Sequence, residues 1–276
     1  MRVSQGFEVK MRALSIIAIL ALMKRHIFVA VVVVAVAVAV AVQPVAHAQA
    51  DSVRVFLSNG FRAVFEDLAP ACERSIGKPL SAQSGTSASL IQRVNGGEPF
   101  DVAIMTTEAM TQLANEGKVG ARTPLGRSGI GIGNKAGTAK PAISTADDLK
   151  KTLLAAKSIT YAGDGASRPH IEQMMGILNI EEVMSRKTLL EQGSVRAAAR
   201  VASGEAELLI TLVSEILPAA GVQLVGALPA QFQNYVSFAA GAGVKAANPA
   251  AAKALIACMS GPGVAATLTA KGIEKP

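Results

Sequence analysis

"SGTSASLIQRVNGGEPFDVAIMT" (residues 84–106) decides the fold. Ser, Thr and Gly crowd its start. The apolar spacing behind them predicts a helix from about Ser87 to Val94, stopped at Gly96–Gly97. "FDVAIMT" (100–106) follows as a short apolar run, the pattern of a buried strand. The hydroxyls stand where the helix begins. Capping is one use for them there. The other is to hold an anion together with the free amides of the first turn.

The alternation continues on both sides. "VRVFLSNG" (53–60) reads as a buried strand ending in a turn, where Ser58 or Asn59 can cap the next helix. Phe61, Val64, Phe65, Leu68 and Cys72 then form a helical stripe, interrupted at Pro70. "LSAQSG" (80–85) is a weak strand, and "TEAMTQLANEG" (107–117) is a helix. "ISTADDLKKTLLAAK" (143–157) is a helix with Ser144 and Asp147 spaced as a capping pair. Further along, strands are expected in "SITYAGDG" (158–165), "ELLITLV" (207–213) and "NYVSFAAGAG" (234–243). Helices are expected from "SRPHIEQMMGIL" (167–178), "SVRAAARVASGEA" (194–206) and a terminal pair over 250–272. Such alternation predicts an α/β fold of mostly parallel sheets flanked by helices.

"GRSGIGIGNKAG" (126–137) is glycine-rich, yet no helix opens after it. It reads as a strand crossing between two lobes and not as a nucleotide loop. Lobe one is expected at 51–126 plus 234–276, and lobe two at 127–233. Two α/β lobes leave a cleft at the carboxyl ends of their strands, where helix N-termini point.

The N-terminus is of another kind. Lys24 and Arg25 precede an unbroken apolar run, Ile27 to Val42, and "AHAQA" ends at Ala50. This is the pattern of a secretory signal peptide cleaved after Ala50 or Ala48, with Met23 as an alternative start. The whole chain carries a formal charge of +7. Residues 1–50 hold five of the basic residues and one acid, so the remainder carries +3. No basic run suited to nucleic acid is present. With no His/Cys cluster, no zinc site or metal cofactor is expected. Export permits a disulfide between Cys72 and Cys258; two buried thiols are the other reading, and both stay open here.

Four junctions share small polar residues: "SNG" (58–60), "GTSAS" (85–89), "GDGAS" (163–167) and "QGS" (192–194). Each helix start offers unpaired N–H groups and about half a positive charge, so convergent starts can bind an anion.

On these residues the chain resembles the periplasmic molybdate-binding proteins of ABC importers, with their type II periplasmic-binding-protein fold. The likeness is carried by "VFLSNGFRAVFEDLAP", "SGTSASLIQRVNGGEPFDVAIMT" and "GPGVAATLTAKGI", including Pro99 and Asp101 before the strand. The resemblance implies an oxyanion held by Ser87 and by main-chain amides near Ser167 and, after Ser194, at Val195. It implies a first serine where this chain has Gly60, with Ser58 and Asn59 as neighbouring substitutes, and a tyrosine where it has Leu212. Thr86 joins Ser87 as a donor. Arg168, beside Ser167, and Arg127, at the crossover, would suit a carboxylate instead.

The expected function is therefore a monomeric periplasmic receptor for a small anion. Molybdate or tungstate is the leading ligand, and a di- or tricarboxylate held by Arg168 or Arg127 is the alternative. The receptor closes by a hinge near 126–128 and 232–235 and docks on an inner-membrane ABC permease. A sensor lobe is a further reading. No enzyme activity is expected. Outside the leader His170 is the one histidine, no G-x-S-x-G elbow is present, and only Asp164 and Glu215 fall near the cleft as catalytic carboxyls.

Overall fold

The computed structural model describes residues 52–275. The expected leader lies outside them. Strand β1 (Val53–Ser58) feeds helix α1 (Asn59–Ile76), then β2 (Leu80–Gly85), α2 (Ser87–Asn95), β3 (Val102–Thr106) and α3 (Thr107–Asn115). A long strand, β4 (Val119–Lys135), follows. Next come α4 (Ala146–Ala155), β5 (Ile159–Ala162), α5 (Arg168–Ile177), α6 (Glu181–Ser185) and β6 (Thr188–Glu191). The chain continues with α7 (Ser194–Ser203), β7 (Leu208–Leu212), α8 (Val213–Ile216), β8 (Val222–Ala227) and β9 (Tyr235–Gly243). Helices α9 (Pro249–Ser260) and α10 (Ala265–Ala270) end it.

The strands run in the order β2-β1-β3-β9-β4-β7-β5-β6, with β8 also on β4. Pairs β1–β2, β1–β3, β5–β6 and β5–β7 are parallel. Strands β4 and β9 pair antiparallel with each other and with their neighbours. β4 belongs to both sheets. Its first half lies on β9, and its second half lies on β7 and β8. The change of partner falls within the glycine-rich segment 126–137, between Gly129 and Ile130. Gly126 begins that segment with φ +156°, and a Cβ on it would come within 2.4 Å of Ile273 Cγ2. Glycine is required so that the C-terminal segment can lie on β4, where Arg127 and Glu274 exchange main-chain hydrogen bonds.

Phe61, Val64 and Phe65 are buried on one face of α1, as the stripe predicts, and Met174 and Met175 are core. Pro70 lies inside α1 without ending it. The capping pair expected at Ser144 and Asp147 falls one residue later. Thr145 is the extended cap residue, and its Oγ1 accepts from Asp148 N at 3.1 Å. Cys72 on α1 and Cys258 on α9 form a disulfide, with Cα atoms 5.9 Å apart.

Asp101 ties three elements together. It is fully buried. Its Oδ2 accepts from Arg54 N at 2.8 Å and its Oδ1 from Asn248 N, before α9, at 2.9 Å. Burial by itself pushes its pKa up, but these bonds and the Arg54 guanidinium outweigh burial and hold the carboxyl below its ordinary value. A depressed folded pKa gives stability that is present above the unfolded value, about 3.9, and lost as pH falls through the folded one. Asp101→Ala is expected to cost about 2–4 kcal/mol at neutral pH, because two main-chain donors lose their acceptor. Urea unfolding at neutral and acid pH checks this. The wild type should lose part of its advantage in acid, and equal acid sensitivity in both proteins would contradict the assignment.

Candidate functional site

The four polar junctions, at the carboxyl ends of β1, β2, β5 and β6, converge. Ser58, Thr86, Ser87, Ser167 and Ser194 line one inner cavity, with Thr106, Leu212, Glu215 and Phe238 closing it. Its free volume is about 20 Å³. That is little more than the space one water needs, about 10–15 Å³ on this measure.

Most of these hydroxyls already have partners. Thr86, and not Ser87, caps α2. Its backbone is extended and its Oγ1 accepts from Ser89 N, whereas Ser87 is the first helical residue. Ser87 Oγ instead accepts from Thr106 N at 3.1 Å. Thr86 Oγ1 donates to Asp164 Oδ2 at 2.8 Å, and Gly193 N donates to Asp164 Oδ1 at 2.9 Å. The Asp164 carboxylate thus takes donors from two helix starts that the sequence offers to a ligand. Ser194 Oγ donates to Glu215 Oε1 at 2.8 Å. Ser58 and Ser167 make no side-chain capping bond.

Gly60 explains why the first hydroxyl is missing. A Cβ at this position would lie 2.5 Å from Phe238 Cζ and 3.0 Å from Leu212 Cδ1. Phe238 and Leu212 fill the place that a serine side chain would take.

A second pocket opens beside the first and shares Ser194 and Glu215 with it. Its volume is about 300 Å³, at the lower end for small-molecule sites. Asn59 and Arg62 line it from the first turn of α1, and Val195 lines it from the start of α7. Arg62 reaches Glu66 only at 3.8 Å and is more than a third exposed, so its guanidinium is accessible. Glu215, on the single turn of α8, accepts from Thr211 and Ser194 hydroxyls and from the Leu212 main chain. Burial pushes its pKa up, against these bonds and the Arg62 charge. Among the described residues no group of three or more His, Cys, Asp or Glu side chains could hold a metal.

The family model described as bacterial extracellular solute-binding protein matches residues 53–274. The chain belongs to that family. Over 241 residues this solute-binding protein is 28% identical to the aconitate isomerase of a Pseudomonas species, an alignment covering 84% of this chain and 91% of the relative. In structure it resembles the periplasmic molybdate-binding protein of Azotobacter vinelandii, with a TM-score of 0.68 and 21% identity over 81% of this chain and 99% of that one. The sulfate-binding protein SubI of Mycobacterium tuberculosis gives a TM-score of 0.63 at 19% identity, over 81% and 86% of the two chains. At these identities the structural likeness speaks for the fold.

Two expected cationic ligands of the solute-binding protein lie elsewhere. Arg168 Nε donates to Glu172 at 2.7 Å and its terminal nitrogen to Gly163 O at 2.8 Å, so the guanidinium is held between its own helix and the turn before it. It lines neither cleft pocket. Arg127 is held by Glu274 at 3.0 Å and lies 4.2 Å over the Tyr235 ring, also outside both. His170 meets Asn234 at 2.8 Å and lines neither pocket. Arg62, Thr106 and Phe238 were not expected from sequence. Arg62 had one signal: it stands three residues after Asn59, on the same face of α1.

Proposed function

We propose that this solute-binding protein captures a small carboxylate-bearing anion at Arg62. The observation that carries this reading is the pairing of a ligand-sized pocket lined by a guanidinium with an inner cavity of about 20 Å³, narrowed by Phe238 and Leu212, whose Thr86 hydroxyl is already bonded to Asp164. A guanidinium recognises a carboxylate through two parallel hydrogen bonds. The starts of α1 and α7 add partial positive charge. In this reading the protein is exported to the periplasm after cleavage near Ala50. Its lobes, 51–126 plus 234–276 and 127–233, close on the ligand. As a monomer, it then delivers the ligand to an inner-membrane ABC permease.

The molybdate or tungstate reading finds less support. The Gly60 and Leu212 positions supply no hydroxyl, and Thr86 and Ser194 donate to carboxylates of the protein itself. A tricarboxylate is favoured by the Pseudomonas relative named aconitate isomerase. The same name, together with a carboxyl at the pocket wall, favours a second reading in which the bound tricarboxylate is also isomerised.

A thermal-shift panel tests the ligand class. A ligand at about 100 times its Kd adds about 2.7 kcal/mol of stability, which raises Tm by about 5–10 °C in a chain of this size. Citrate and the aconitate isomers are expected to produce the shift, and molybdate, tungstate, sulfate and phosphate to leave Tm in place. A shift confined to the inorganic oxyanions would overturn the reading.

A further inference from the structure

Glu215 is out of place in a simple anion receptor. Glu215 lines both cleft pockets, which places it beside a ligand bound in either. A carboxylate beside a bound anion opposes binding, and a protein selected only to hold an anion gains by replacing it. Yet three groups fix it in position: Ser194 Oγ on Oε1, Thr211 Oγ1 on Oε2, and the Leu212 main chain. A carboxylate has about four lone-pair sites, so these bonds orient the group without saturating it. Arg62 lies across the same pocket and is close enough to act on Glu215 electrostatically. The pocket therefore sets a desolvated, oriented carboxyl against a guanidinium and two helix starts. That is the arrangement required to take a proton from carbon and to stabilise the resulting charge.

We propose that Glu215 is a carbon-acid base acting on an unsaturated tricarboxylate held at Arg62. This rests on the tricarboxylate reading above. The ionised Glu215 removes a proton from the methylene next to the double bond. The C–H bond breaks, an O–H bond forms on Glu215, and the electron pair spreads over the three-carbon allyl unit and the carboxylates attached to it. Arg62 and the amides at the starts of α1 and α7 hold that charge. Glu215 then returns the proton to the other end of the allyl unit. The double bond moves by one position and the cis and trans isomers interconvert. No oxidant, reductant or cofactor is consumed, and Glu215 ends in its starting form.

The test uses protein purified after expression of the full-length chain, with trans-aconitate in D₂O. Calorimetry measures binding, and proton NMR follows loss of the methylene signal and the appearance of cis-aconitate. The wild type should bind and form cis-aconitate, with deuterium entering wherever the proton on Glu215 exchanges with solvent before its return. Glu215→Gln should lower that conversion by at least about 100-fold. Binding should be kept or strengthened, because the substitution removes negative charge beside an anion. Glu215→Asp should retain part of the rate. Absence of binding to the wild type would overturn the tricarboxylate reading and the proposal with it. Binding with neither cis-aconitate formation nor deuterium uptake would overturn the proposal alone. Conversion or uptake that survives in Glu215→Gln would remove Glu215 as the base. If Glu215→Gln does not fold, wild-type conversion and the Glu215→Asp rate still decide.

Discussion

Arg62→Ala is expected to weaken tricarboxylate binding by about 10- to 100-fold. A hydrogen bond to a charged group contributes about 1.5–3 kcal/mol, and each 1.4 kcal/mol is a tenfold change in Kd. Arg62 is the cation that lines the pocket between the starts of α1 and α7, and its contact with Glu66 is long, at 3.8 Å. Little in the fold depends on it, so Tm without ligand should move by no more than an ordinary surface substitution allows, about 0.5 kcal/mol in stability. Arg62→Lys should fall between, because an ammonium keeps the charge but loses the planar fork. Arg168→Ala serves as the control. That guanidinium is held by Glu172 and Gly163, and its loss should leave affinity unchanged. Isothermal titration of the three variants checks the set. Loss of binding in Arg168→Ala with retention in Arg62→Ala would reverse the assignment.

Removing the disulfide should cost stability without touching the ligand pocket. Cys72 and Cys258 are 186 residues apart in sequence, and neither lines a cleft pocket. Opening so long a loop lets the unfolded chain regain entropy, and native disulfides are worth about 2–5 kcal/mol. The bridge also fastens α9 to α1, the helix that carries Asn59 and Arg62. Cys72→Ser with Cys258→Ser is expected to lower Tm by about 4–20 °C at an unchanged Kd, using about 2–4 °C per kcal/mol for this size. Calorimetric unfolding in the presence and absence of reductant gives the same comparison for the wild type. An identical Tm under both conditions would contradict the bridge.

The legible parts of the fold are those set by local pattern. The apolar runs of β1 and β3 and the spacing of Phe61, Val64 and Phe65 need only neighbours in sequence. The first half of β4, "VGARTPLG", was not legible as strand. It carries Pro124, exposes Ala121 and Arg122, and is bulged against β9, so its extended form comes from pairing with a strand more than a hundred residues away. Likewise the short "TLLE" of β6 shows too little pattern to identify it alone.

In the site, the turns were legible and their partners were not. Gly, Ser and Thr at helix starts announce themselves. That Thr86 donates its hydroxyl hydrogen bond to Asp164, 78 residues on, follows only from the folded arrangement. The two arginines make the same point. Arg62 and Arg168 both stand near helix starts with a glutamate four residues later. One closes tightly on its glutamate and the other reaches into the cleft pocket, a difference that the local sequence does not record.

The central claim is that an organic carboxylate, and not an oxyanion of a metal, occupies the pocket at Arg62. Calorimetric titration of the wild-type protein with trans-aconitate and, separately, with molybdate tests it most directly. Saturable heat with trans-aconitate, none with molybdate, and loss of that heat in Arg62→Ala are expected. Saturable heat with molybdate and none with trans-aconitate would contradict the claim and return the ligand to the serine-lined inner cavity.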